Sequence, residues 1–133
     1  MSSIVTISRL GAQADGIAET EGGQVFVPFT LPGEKVNIAV GGKRADIVAL
    51  LETSPQRVAP PCRHFGDCGG CAIQHLEHGA YRDWKRQILV DALRARGIET
   101  EVDAMVDCPP HSRRRAALTA RKTEKGLLLG FNA

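Results

Sequence analysis

A chain of 133 residues with 43% apolar and 24% charged residues has room for one modest domain or two small ones. No apolar run approaches the roughly 18 residues that a membrane span needs, and a formal charge of +2 over the whole chain selects no class of partner. The distribution of charge is more telling: residues 1–60 carry five Lys/Arg against six Asp/Glu, residues 61–110 six against eight, and residues 111–133 six against one. A basic excess confined to the last segment fits a polyanionic partner or, more simply, a solvated strand face.

The N-terminal stretch Met1–Leu10 has neither a basic region followed by an apolar one nor a cleavage site, so a cytoplasmic protein is expected. Ile4-Val5-Thr6-Ile7 opens a predicted strand over about residues 3–10, with Val5 and Ile7 on one face. Gly16-Ile17-Ala18 resumes the pattern, Gly22-Gly23 turns the chain, Val25–Phe29 returns, and Leu31-Pro32-Gly33-Glu34 makes a turn before Val36–Val40. Gly41-Gly42 then closes a hairpin with Lys43–Glu52, where Ala45, Ile47 and Ala49 lie opposite Val48 and Leu50. Five short strands with glycine punctuation predict a mainly β fold whose first unit, residues 1–58, is a small closed barrel of the oligonucleotide-binding type.

Residues 59–76 form a different kind of segment. Cys62, Cys68 and Cys71 fall within ten residues among glycines, His64, Asp67 and Arg63, surroundings unlike those of a cysteine that packs as a small hydrophobe. In a reducing compartment such a cluster is better explained by metal ligation than by disulfides. Three thiolates suit an iron–sulfur cluster completed by a fourth cysteine, or zinc completed by a cysteine or histidine. Spacing leaves both open, and His75, four residues after Cys71, is the histidine to watch. Cys108, beside Pro109-Pro110, reads as a free or packed thiol.

Beyond the loop, Tyr81, Trp84, Ile88, Ala92 and Ala95 repeat at helical steps, predicting an amphipathic helix over about 78–96 that buries Trp84 and is capped by Gly97. Val102, Ala104 and Val106 alternate as an inward strand face over 100–107. Residues 113–121 and 127–131 read as a hairpin turned at Glu124-Lys125-Gly126. Residues 77–133 thus make a small α+β unit.

Gly16-Ile-Ala-Glu19, Val25-Phe-Val-Pro28, Leu31-Pro-Gly-Glu34, Arg57-Val58, the Cys62, Cys68-Gly-Gly-Cys71 pattern, Gln74-His75 and Arg113-Arg-Arg115 occur in this order along the chain. Together they resemble the RNA (uracil-5-)-methyltransferases, 23S rRNA type, over essentially the whole sequence. The resemblance implies an N-terminal TRAM barrel, an iron–sulfur loop and the start of a central domain. It implies that Cys62, Cys68 and Cys71 bind a [4Fe–4S] cluster whose fourth ligand is expected beyond Ala133. It also implies that the parent enzyme methylates uridine C5 from S-adenosylmethionine, a thiolate attacking uracil C6 to generate the C5 carbanion that takes the methyl group. No strand, Gly-rich loop and helix unit for the methyl donor occurs in this sequence, so no catalytic residue is assigned here and the chain is expected to be an inactive fragment, monomeric, holding RNA of the ribosomal class.

For RNA the expected contacts are Arg113, Arg115, Arg121 and Lys122, assisted by Lys43 and Arg44. Arg113 and Arg115 would share a strand face with Arg121 as a phosphate-binding stripe, and Arg114 would pair internally with an acid such as Asp107. Two other classes compete: a self-standing RNA-binding module with a zinc-stabilised cysteine loop, and a protein-interaction domain.

Overall fold

The first β-prone run does not stay one strand. In the computed structural model, which describes residues 2–132, β1 (Ser2–Thr6) pairs antiparallel with β5 (Lys35–Gly41), and the chain then turns a corner at Ile7-Ser8. Beyond the corner β2 (Arg9–Leu10) pairs instead with β3 (Gly16–Thr20). With β4 (Gly23–Val27) and β6 (Arg44–Glu52) these make one sheet in the order β1-β5-β6-β4-β3-β2. Since β1 and β2 are its two outer strands and are joined through Ile7-Ser8 alone, the sheet must curl back on itself. The expected five strands are therefore six, because a continuous strand cannot change partners without a break.

Ile7 makes the corner possible: its N–H donates to the Glu34 carbonyl at 2.9 Å, its carbonyl accepts from Gly33 N at 2.8 Å, and its side chain is buried. It joins Ala18, Val25, Val27, Val36, Ile38 and Ala45 in the core, with Val5 packed against them. The predicted alternation along β6 holds at Ala45 and then fails, leaving Ile47, Val48 and Leu50 exposed. The cause lies in the β5–β6 register, which shifts between Lys35 and Val36 and again between Asn37 and Ile38. Each shift places an extra β6 residue in the ladder, increasing local twist and breaking the two-residue period.

Downstream, α1 (His78–Arg94) follows the predicted helix closely. The Glu77 carboxylate caps it, accepting from Gly79 N at 2.8 Å and Ala80 N at 3.0 Å, and these two bonds hold its pKa below the usual carboxylate value. At the other end Gly97 has φ 72° and Ile98 N donates to Leu93 O at 3.0 Å, a closure that needs a residue at ease with positive φ. No α1 side chain is buried, and Trp84, expected in the core, is half-buried: the helix lies beside the barrel without a second layer over it.

Two further expectations change. Residues 100–107 form no strand; they run along α1, where Arg82 Nη2 donates to Met105 O and Arg86 Nε to Val102 O, both at 2.8 Å. Val102 and Met105 are half-buried whereas Ala104 and Val106 are exposed, a pattern set by those two arginines and not by a strand partner. The C-terminal hairpin consists of β7 (Thr119–Thr123) and β8 (Gly126–Gly130), and residues 112–118 are irregular. Arg113 and Arg115 consequently do not share a strand face with Arg121.

The β3 start tolerates no side chain. A Cβ at Gly16 would collide with Thr30 Oγ1 and come within 2.9 Å of Ile7 Cγ2, and Thr30 is itself tied to Val27 O at 2.8 Å. Gly16→Ala is expected to lower unfolding free energy by about 1–3 kcal/mol through overpacking, measured as a reduced urea midpoint with unchanged m-value. Gly22→Ala, where the nearest contact is an unstrained 3.8 Å, is expected to stay near wild type.

Candidate cysteine centre and RNA-facing surface

The cysteine loop is joined to the barrel by one ion pair, whose carboxylate is buried and whose guanidinium is half-buried. Leu31-Pro32-Gly33-Glu34 turns tightly, with Gly33 at φ 82°, and this directs the Glu34 side chain back into its own turn, where its carboxylate accepts from Leu31 N at 2.8 Å. The same carboxylate accepts from Ser54 N at 3.2 Å and from Nε and Nη2 of Arg57, the latter at 2.8 Å. Arg57 Nη2 also donates to Phe29 O at 2.7 Å. Glu34 has no exposed surface. Burial alone would raise its pKa, but the Arg57, Leu31 and Ser54 hydrogen bonds outweigh it and hold the carboxyl below its ordinary value.

Arg57 also begins the neck of the loop. It bridges Leu76, while Val58 N donates to His75 O at 2.9 Å and Glu77 N to Gln56 O at 2.8 Å. Inside the loop Phe65 N donates to Cys62 O at 3.1 Å and Cys68 N to His64 O at 2.9 Å. His75 is enclosed by aromatic rings, its centroid 5.5 Å from that of Phe65 and 6.3 Å from that of Phe29, which meet each other edge-to-face at 5.3 Å. Burial, and then the Arg57 charge, push its pKa below the ordinary histidine value, which favours the neutral ring. It is a plug between barrel and loop and does not line the cavity of the cysteines.

That cavity, of about 630 Å³, is lined by Cys62, Cys68 and Cys71 together with His64, Asp67, Gly70, Arg113, Leu118, Leu129, Gly130 and Phe131. The three thiols are free, as is Cys108, which lies outside the cavity. Gly70 N donates to Cys68 Sγ at 3.4 Å, and a Cβ at Gly70 would sit 3.3 Å from that sulfur. Residues after β8 return to the loop, Gly69 N donating to Asn132 O at 2.8 Å. Among the described residues no group of three or more His, Cys, Asp and Glu side chains is arranged to hold a metal ion; the thiols share a cavity without sharing a coordination geometry.

The basic residues are dispersed around this site. Arg113 lines the cysteine cavity itself. Arg44 is paired with Asp15 at 3.0 Å and borders a groove shared with Cys68 and Cys71, and Lys43 is exposed in the β5–β6 turn. Arg115 is exposed in the irregular segment, while Arg121 and Lys122 are consecutive on β7 and so point to opposite faces. The predicted Arg114–Asp107 pair is not formed: Asp107 holds His78 and lies 3.9 Å from Arg82. The Glu34–Arg57 pair and the burial of His75 were not anticipated, although both lie in segments that the sequence marks out.

His75 and Glu34 both make folding stability fall in acid. Both pKa values are lower folded than unfolded, so the unfolded chain takes up more protons, first below about pH 6.5 for histidine and then below about 4.3–4.5 for glutamate, and stability is present above those values and lost as pH falls. Urea unfolding between pH 7.5 and 5 is expected to show falling stability in the wild type and a flatter profile in His75→Phe. Identical slopes would contradict the buried neutral imidazole.

Residues 4–41 match the family model of the TRAM domain. The chain is 59% identical over 128 residues to an uncharacterized RNA methyltransferase of Brucella suis biovar 1, covering 96% of this chain and 31% of that protein. It is 38% identical over 132 residues to a 23S rRNA (uracil(1939)-C(5))-methyltransferase of Marinomonas posidonica, covering 96% and 30% respectively. A protein of the same name from Halomonas elongata is 39% identical over 138 residues, covering 97% and 29%. The chain thus spans less than a third of the length of the curated relatives it matches. It carries a match to the TRAM domain over residues 4–41 and is similar over nearly all its length to part of proteins named RNA methyltransferase.

Proposed function

We propose that this chain is the RNA-holding, cluster-bearing part of an S-adenosylmethionine-dependent methyltransferase acting at uridine C5 of ribosomal RNA in the cytoplasm. The observation that carries the proposal is the convergence of Cys62, Cys68 and Cys71 on one cavity with Arg113, in a loop that packs through Phe65 on Phe29 of the strand unit that matches the TRAM domain. Free thiols around a common cavity are the donor set that iron–sulfur clusters use, and the lack of a side chain at Gly70 leaves its backbone N–H next to Cys68 sulfur. Bound there, a [4Fe–4S] cluster would cross-link the three cysteines and draw them into a coordination geometry, so that metal binding adds to folding free energy.

The fourth ligand is assigned to the residues following Ala133, a reading supported by Asn132, whose carbonyl already accepts from Gly69 N within the loop. Arg113, Arg115, Arg121, Lys122 and Lys43 supply phosphate contacts, with Arg44 a weaker one while Asp15 holds it. Among the described residues no helix is long and apolar enough to cross a membrane. The methyl donor and the catalytic thiolate belong to the parts of the parent enzyme outside these 133 residues.

Iron, acid-labile sulfide and zinc should be determined on protein purified without oxygen. Iron and sulfide in matching amounts are expected, with a brown chromophore that bleaches in air because one iron lacks its thiolate. Stoichiometric zinc in a colourless protein, or no metal at all, would sink the cluster assignment. Affinity for a uridine-containing RNA hairpin is expected to fall as salt rises.

A further inference from the structure

His78, Tyr81 and Trp84 form a ladder of rings on α1, Trp84 against a groove beside the barrel and the other two facing the cysteine loop. Residues three apart are neighbours on a helix surface, and here the His78 and Tyr81 rings stack at 6.2 Å with a 25° interplanar angle, while Tyr81 and Trp84 lie 6.2 Å apart. None is buried. His78 and Tyr81 wall a cavity of about 510 Å³ whose other lining includes Val58, Leu76, Gln74 and Arg113 and, on the loop side, Cys71, within the range of about 300–1,000 Å³ usual for small-ligand pockets.

The polar groups of this cavity are differently committed. The Gln74 side-chain oxygen accepts from Cys62 N at 3.2 Å, so what Gln74 can offer a ligand is its NH₂ donor. His78 is held by Asp107. Arg113 has no carboxylate partner among the described residues. A flat aromatic wall, a hydrogen-bond donor and a free guanidinium match three parts of one chemical object: a planar base, an acceptor on its edge and the adjoining phosphate.

We propose that this cavity is a subsite for a single unpaired nucleobase of bound RNA, stacked on Tyr81, contacted at its edge by Gln74 and held through its phosphate by Arg113. The subsite rests on the reading of the chain as RNA-holding. Stacking on aromatic side chains tolerates any base and is nearly independent of salt, whereas phosphate contacts are not. The two halves of the subsite are therefore separable by experiment.

Fluorescence anisotropy of a short single-stranded RNA with the full 133-residue chain, at several salt concentrations, tests it. Tyr81→Ala and Tyr81→Leu are each expected to weaken binding about tenfold with an unchanged salt slope, and Tyr81→Phe to bind as wild type. Arg113→Ala is expected to flatten the slope by about 0.7. The leucine variant keeps apolar bulk on the helix, so an effect of lost packing is told apart from lost stacking. Wild-type affinity in Tyr81→Leu, or a slope change in Tyr81→Ala, would overturn the subsite and leave RNA binding standing. A wild-type chain that binds no RNA at any salt concentration would overturn the RNA-holding reading, and the subsite with it.

Discussion

A carboxylate with no exposed surface persists in this small barrel because Arg57 lies against it. Removing an ion from water costs several kcal/mol, repaid only when geometry is good and the remaining lone pairs are satisfied. Glu34 meets that condition with Leu31 N, Ser54 N and two nitrogens of Arg57. Those donors come from three stretches of chain: the turn that follows β4, the segment just past β6, and the entry to the cysteine loop. One side chain thus fixes where the barrel ends and where the loop begins.

The consequences reach the thiols through short steps. Arg57 pairs with Leu76, so the two ends of the loop are held together. His75, one residue earlier, is pressed between Phe29 of the barrel and Phe65 of the loop. Phe65 in turn bridges Cys68. A Gly-rich segment has high chain entropy and little apolar surface with which to offset it; here Phe29 of the barrel supplies apolar surface at one end, and just past β8 the Phe131 ring lies by Gly70 while the Asn132 carbonyl accepts from Gly69 N. The cysteines are brought to one cavity by neighbours, leaving their final geometry to whatever binds them.

Much of this was legible in the sequence where local chemistry decides the outcome. Glycine turns, the β-prone runs before Glu52 and the Glu77-to-Gly97 helix are all local signals, and the structure places them within a few residues of expectation. What was not legible depends on partners distant in sequence. Glu34 and Arg57 are 23 residues apart, and nothing in Leu31-Pro-Gly-Glu34 beyond a turn announces an ion pair. The alternation over 100–107 describes side-chain faces, but a strand also needs a hydrogen-bonding neighbour, and Arg82 and Arg86 take two of its carbonyls instead. The arginine run at 113–115 was read with the period of a strand that begins only at Thr119.

Amide hydrogen exchange in Arg57→Met tests the coupling most directly. The substitution keeps side-chain length and the backbone bridge to Leu76 while withdrawing the guanidinium from Glu34 and Phe29 O. Protection is expected to fall further at Val58, Cys68, Leu76 and Glu77 than at Ala18, Val27 and Ile38 in the barrel, which lose only what the unpaired Glu34 carboxylate costs globally. Unchanged protection across residues 57–77, or an equal loss throughout the barrel, would contradict the view that this ion pair is what holds the cysteine loop in place.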